Sequence, residues 1–258
     1  MIRGEERGVT MRHDKVKGYV GVAFISLIVC TFFLSTVGMV EAGDGEKLVN
    51  QLQSRDPAVR EEAARRLGDL KDPTAVEPLI VVLKKDKDRN VRWSAEDTLV
   101  SIGAPAVEPL IKMLNDDSWR VRRRAVRTLG KIRDARAIEP LTASMKMDDD
   151  CYVRKYAARA IGEINDPRAG EILTPALQNR DLEVIEGAYR FFIRRGEPGS
   201  EAALIESLNK NWNKTMAIDF LKCGNRQLEE AAAGCAKQRG YSMPYTVDWV
   251  VPKWGQAL

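Results

Sequence analysis

Five stretches of the chain, residues 56–60, 88–92, 118–122, 150–154 and 181–185, carry one pattern of polar and apolar positions. Each opens on Asp56, Asp88, Ser118, Asp150 or Asp181 and has valine in fourth place, and the valines lie 32, 30, 32 and 31 residues apart. Four positions after each valine come Ala63, Ala95, Ala125, Ala157 and Ala188. Eight positions after come Leu67, Leu99, Leu129, Ile161 and Phe192. Eleven positions after come Leu70, Ile102, Ile132 and Ile164, with Arg195 breaking the pattern in the fifth unit. Offsets of 0, 4, 8 and 11 fall on one face of an α-helix, so each stretch predicts an amphipathic helix. A second helix follows in each unit. Asp72 before Pro73 and Asp166 before Pro167 offer a capping carboxylate and a proline suited to a first turn, and Asp134 takes the same place without proline. Val76, Leu79 and Ile80, then Val107, Leu110 and Ile111, then Ile138 and Leu141 supply its apolar face.

A single helix pair of this length cannot cover its own apolar stripe, whereas stacked copies cover one another, which predicts an all-α solenoid. A degenerate sixth unit fits residues 209–240, with Trp212, Met216, Phe220 and Cys223 at the four core offsets and a second helix from Asn225 to Arg239. Beyond it the period changes. Tyr241, Met243, Tyr245, Val247, Trp249 and Val251 alternate with mostly polar residues, so 241–258 reads as a short extended C-terminal cap over the last apolar face. The expected organisation is an N-terminal segment 1–42, five helix pairs over 43–208, the sixth pair, and the cap.

The repeated phrase Val-Arg-x-x-Ala-x-x-x-Leu-Gly is complete at Val59–Gly68 and Val121–Gly130 and nearly so at Val153–Gly162. It resembles the HEAT-like repeats in the short bacterial form known from phycobilin lyases. The resemblance covers about residues 46–208 and implies a right-handed α-α superhelix. In such solenoids the second-helix row lines the concave face, which would put Glu77, Glu108, Glu139 and Glu171 there.

Residues 1–17 carry Arg3, Arg7, Arg12, Lys15 and Lys17 against Glu5, Glu6 and Asp14, and no charged side chain occurs from Tyr19 to Val40. Positive charge before an apolar run and acids after it predict export, with the amino terminus left on the cytoplasmic side. Cleavage after Ala42 and retention as a single-span anchor are both compatible with the run. Val40 and Ala42 fit a signal-peptidase site, and the length suits a span. The expected location is periplasmic or on the extracellular face of the membrane.

Of 258 residues only His13 is a histidine, and it precedes the apolar run. The repeat region therefore excludes sites needing several imidazoles, including a Ser-His-Asp triad, a His-based zinc centre and the His-Glu iron site that the related deoxyhypusine hydroxylase fold carries. Cys151, Cys223 and Cys235 have no metal-ligand spacing and read as free thiols. No catalytic residue, metal or cofactor is assigned.

Two arginine sets stand out. Arg60, Arg92, Arg122 and Arg154 recur in the first four units, with Asp56, Asp88 and Asp150 in three of them. A residue repeated throughout serves what every unit shares, so the aspartates read as helix caps and the arginines as ties between neighbouring loops. The second set is local. Arg120, Arg123, Arg124, Arg127 and Lys131 crowd the third unit, and Arg159, Arg190 and Arg194 continue it, forming a predicted basic ridge on the outer helix row. Trp93, Trp119, Tyr152 and Tyr156 lie at non-core offsets beside it. Trp and Tyr next to Arg is the composition of protein-interface anchors, and these twelve residues form the candidate partner-binding surface. A solvated face, or packing between repeats at the loop edge, explains the same residues without a partner. The expected function is an exported, non-catalytic scaffold for a protein partner in the cell envelope. Two alternatives stay open: a bilin-lyase-like chromophore-handling protein, and an envelope-structural protein binding anionic polymer or the membrane surface. Nucleic acid is not expected.

Overall fold

A computed structural model of the protein describes residues 43–242 and 251–256. The expected export segment and most of the alternating tail lie outside them. The chain divides into compact units at Lys47/Leu48, within helix α1 (Asp44–Gln51), and the solenoid is the second unit. Among the described residues there are thirteen α-helices and no strand.

Six helices form a first row: α2 (Pro57–Leu70), α4 (Arg89–Ile102), α6 (Trp119–Ile132), α8 (Cys151–Ile164), α10 (Leu182–Arg195) and α12 (Lys214–Lys222). Six form a second row: α3 (Val76–Lys85), α5 (Val107–Met113), α7 (Ile138–Met147), α9 (Ala169–Leu173), α11 (Glu201–Lys210) and α13 (Arg226–Gln238). The rows alternate along the chain, and the core lies between them. Ala95, Leu99, Ala125, Leu129, Ala157, Ile161 and Ala188 are fully buried, as offsets of four and eight on a core-facing helix require. Val59 is half-exposed at 37%, since among the described residues only the short helix α1 precedes α2. Offset eleven lies at the edge of the stripe, where Leu70, Ile102 and Ile132 are only partly buried.

Local chemistry starts and stops the helices. Asp56, Asp88, Asp150 and Asp181 accept hydrogen bonds from backbone N–H groups in the first turns of α2, α4, α8 and α10. Ser118 does not cap α6 through its hydroxyl. Lys71, Arg133, Asn165 and Gly196 end α2, α6, α8 and α10 in the left-handed conformation, the usual terminator that frees the chain to turn. The second helices α3, α5 and α7 are entered through the short 3-10 turns Pro73–Ala75, Ala104–Ala106 and Ala135–Ala137, the first capped by Asp72. Pro175 cuts α9 short, and its unit continues as a 3-10 turn, Pro175–Gln178. In the sixth unit Asn213 caps α12 and Asn225 caps α13. Trp212 therefore precedes α12; it is partly buried against the core and packs on Tyr241 with ring centroids 5.5 Å apart.

Residues 251–256 run without regular structure onto the ends of the first row. Trp254 N–H donates to Cys223 O (2.9 Å), Gly255 N–H to Ile193 O (2.8 Å), and Lys253 Nζ to Lys222 O (2.6 Å). A Cβ at Gly196 would lie 2.5 Å from Gly255 Cα, so the bare αL glycine is what lets the tail seat there.

The spacing within the first row is uneven, and small side chains set it. A Cβ at Gly130 would meet Ala160 Cβ at 2.9 Å, and one at Gly162 would meet the Phe191 ring at 3.0 Å. These glycines, nine positions after the repeat valine, let α8 close onto α6 and α10 onto α8. The second unit carries Val100 at that offset, and α4 and α6 pack less closely than the neighbouring pairs.

Candidate functional site

The loop edge is held by the repeated arginines. Arg60 Nε and Nη2 donate to Asp86 at 2.6 and 2.9 Å, and its Nη1 donates to Ser54 O at 2.8 Å. Arg122 grips Asp148 through Nε and Nη2, both at 2.8 Å, and also contacts Asp149 and the carbonyls of Asp116 and Asp117. Arg154 donates to Asp181 at 2.7 Å and to Asp148 O at 2.7 Å. Each guanidinium thus joins its own loop carbonyls to the next loop's carboxylate, a charge-assisted tie between repeats. Burial pushes the carboxyls of Asp86 and Asp148 up, but the bonds from Arg60 and Arg122 outweigh it and hold both below the ordinary aspartate range.

Arg92 is the exception. It donates to the carbonyls of Asp86 and Lys87, both at 2.8 Å, and reaches no carboxylate in the next loop. The acid there, Asp116, is taken by Lys84 at 2.7 Å. The junction that lacks the glycine therefore also lacks the Arg–Asp tie.

A cleft of about 1000 Å³ opens at that junction and runs across α4, α6 and α8. Val100, Trp93, Arg123, Arg124, Arg127, Lys131, Tyr156 and Arg159 line it, with Arg89, Arg92 and Arg133. The basic ridge was expected on the outer row. Both clefts lie along the first row of helices. Glutamates of the second row were expected to line the concave face. Glu139 is paired with Arg168 of the next unit at 2.9 Å, and Glu108 lies 3.7 Å from Arg136.

Within the cleft some charge is neutralised and some is not. Glu96, only 2% exposed, lies 2.9 Å from Lys131 and 3.4 Å from Arg127. Burial pushes the Lys131 ammonium down, but Glu96 and Asp97 outweigh it and raise it. Arg159 pairs with Glu163 at 2.7 Å. Arg124 reaches only Leu83 O, at 3.2 Å. Burial, then the like charges of Arg92, Arg123 and Arg120, push its pKa down. Arg123 lies over the Trp119 ring at 5.2 Å and the Tyr156 ring at 5.9 Å, and its buried Nε has no hydrogen-bond partner. Arg89 covers Trp93 at 4.1 Å, while Trp93 remains 45% exposed. The result is a concave, cationic and aromatic surface with unspent donors.

The twelve candidate residues divide. Trp93, Arg123, Arg124, Arg127, Lys131, Tyr156 and Arg159 share this cleft. Arg190 and Arg194 line a second cavity with Tyr156 and Arg159. Trp119 is packed partly against the core, with Arg120 over its ring at 4.6 Å. Tyr152 is exposed, and neither it, Trp119 nor Arg120 lines either cavity. Sequence reasoning missed Arg89 and the buried counter-ion Glu96, and left Arg133, which belongs to the basic cluster, out of the candidate surface. Arg133 has a sequence signal, since it is the residue directly after the last core position of its helix. Glu96 has none, because an acid one position beyond a core alanine ordinarily faces water. Arg190 is engaged by the buried Asp219 at 3.1 Å, which also accepts the Tyr189 hydroxyl at 2.7 Å.

Cys151, Cys223 and Cys235 are free thiols, and burial pushes the Cys223 thiol up. Among the described residues no group of three or more His, Cys, Asp or Glu is placed to hold a metal ion, and no helix is long and apolar enough to cross a membrane.

Stacked helix pairs with a shared core and a cleft along one row define an α-solenoid. The HEAT repeats family profile matches residues 45–109, 102–155 and 145–222, and the chain belongs to that family. No curated protein matches it. Among solved structures, an engineered protein is 24% identical with a TM-score of 0.39, over 77% of this chain and 98% of that one. The complex of CpcE and CpcF of phycocyanin lyase from Nostoc sp. PCC7120 is 21% identical, TM-score 0.34, over 73% and 92%. A designed armadillo repeat protein in complex with the peptide (KR)4 is 21% identical, TM-score 0.36, over 74% and 97%.

Proposed function

We propose that the protein is an exported, non-catalytic scaffold that binds a protein partner in the cell envelope through the first-row cleft between α4, α6 and α8. The observation that carries this reading is the cleft's combination of an exposed Trp93 with arginines Arg123 and Arg124, which have no acidic partner among the described residues. Such groups are costly to leave facing each other and gain most from a partner that brings carboxylates and apolar area. Export rests on the charge and length of residues 1–42. Capture from an envelope extract with the full chain and with Arg123, Arg124 and Arg127 changed to Glu tests the binding face. A specific partner retained by the parent and lost by the variant supports it, and equal retention by both refutes it. The mass of the mature amino terminus decides between cleavage after Ala42 and a retained anchor.

A further inference from the structure

A second cavity, of about 480 Å³, lies two helices further along the same face. Its walls come from α8, α10, the end of α6 at Arg133, and the seated tail at Gly255. It is lined by six basic residues and two acids, Glu163 and Glu186. Most of those cations are already spent inside the protein. Lys155 is paired with Glu183 at 2.7 Å and Glu186 at 2.9 Å, Arg159 with Glu163, Arg190 with Asp219, and Arg195 lies 3.2 Å from Glu197. Two guanidiniums are left over. Neither Arg194 nor Arg133 has an ion pair or side-chain hydrogen bond among the described residues.

Arg194 is half-buried in the last turn of α10. Burial, then the like charge of Arg159, push its pKa down, with Glu163 opposing and Arg190 adding further repulsion. The position has no counterpart holding it in place, unlike the equivalent Lys131 of the third unit, whose ammonium is drawn to Glu96 and Asp97. Beside the two free guanidiniums stand the rings of Phe191 and Tyr156. Phe191 is 8% exposed, so the apolar wall is fixed by core packing. The cavity is too small for a folded domain and large enough for a few side chains of an extended segment.

From this we infer that the cavity between α8 and α10 is a carboxylate-binding pocket, in which Arg194 and Arg133 receive an acidic side chain of an extended peptide segment. The occupant is an acidic peptide because the pocket offers forked guanidinium donors beside an apolar wall, which suits a carboxylate on an aliphatic stem. It rests on the reading of the first-row face as the partner-binding face, since both cavities open along that row and share Arg133, Tyr156, Arg159 and Glu163.

The test uses the full chain and fluorescently labelled hexaglutamate, read by polarisation, with melting temperature as the control for folding. Arg194→Gln is expected to weaken binding at least tenfold, and Arg226→Gln, which removes the same charge from exposed α13, is expected to leave it unchanged. Equal loss in both variants reports net charge alone and overturns the pocket. Loss on charge reversal at Arg124 with no loss at Arg194 overturns the pocket and leaves the main cleft standing. Insensitivity to both overturns the two readings together. Inorganic phosphate that binds in place of hexaglutamate, rather than merely weakening it as salt does, identifies an oxyanion site and overturns the peptide assignment. Where Arg194→Gln fails to fold, Arg194→Lys, which keeps the charge but loses the forked donors, gives the readout, with weakened binding expected and unchanged binding overturning the pocket.

Discussion

The junction between α6 and α8 and the junction between α4 and α6 are built from the same repeat, yet one is closed and the other open. At the closed junction Gly130 admits Ala160, and Arg122 holds Asp148 in the next loop. At the open one Val100 stands where the glycine would be, and Arg92 reaches only the carbonyls of its own loop. The open junction is also where the cationic, aromatic cleft lies. The cleft thus arises by omission: one side chain too large and one tie not made leave room between helices. The uncompensated arginines then occupy it.

The largest effect is expected from cutting the closed junction. Arg122→Ala leaves the buried Asp148 carboxylate without its partner, and losing one member of a buried pair costs about 3 kcal/mol or more. Arg92→Ala, at the open junction, forfeits only bonds to carbonyls and is expected to cost about 1 kcal/mol. Urea unfolding of the two variants measures the difference, and equal losses would remove the distinction between the junctions. Gly130→Val comes next. Its side chain would meet α8, and overpacking of this kind costs about 1–3 kcal/mol, seen as a lowered denaturation midpoint.

Acid should act on the ties selectively. Asp86 and Asp148 are held below their ordinary value of 3.8, so their contribution is present above that value and is lost as pH falls through the depressed one. A melting-temperature profile from pH 6 downward is expected to fall in that acid window and to flatten there in Arg60→Ala and Arg122→Ala. The smallest effect has the opposite sign. Arg124 is burdened by burial and by its cationic neighbours, so Arg124→Met is expected to raise stability by about 0.5 kcal/mol while weakening partner capture. A Met variant that is less stable would mean that the Leu83 carbonyl bond outweighs the repulsion.

Much of the fold was legible in the sequence. Helical periodicity inside a repeat of nearly constant length requires stacked helix pairs, and the residues at offsets four and eight are buried for that reason. The caps at Asp56, Asp72, Asp88 and Asp150 could be read because a short carboxylate before a helix acts on backbone a few residues away. The site was legible only in composition. Arg123, Arg124 and Arg127 stand out as a cluster, but the cleft they line could not be read, because it depends on how closely α4 and α6 pack. Trp212 was misplaced by one turn for a related reason: its offset fits the pattern while Asn213, the cap, starts the helix after it.

Sequence alone therefore determined the architecture, the ends of the helices and the stock of charges, since these depend on interactions within a turn or a repeat. Tertiary structure decided which charges are spent. Arg190 and Arg194 lie four residues apart on one helix, yet Asp219 of the next unit takes up the first, and no side chain takes up the second among the described residues. Pairing across repeats depends on helix spacing and rotation to within a hydrogen-bond length, and a linear pattern does not carry that information.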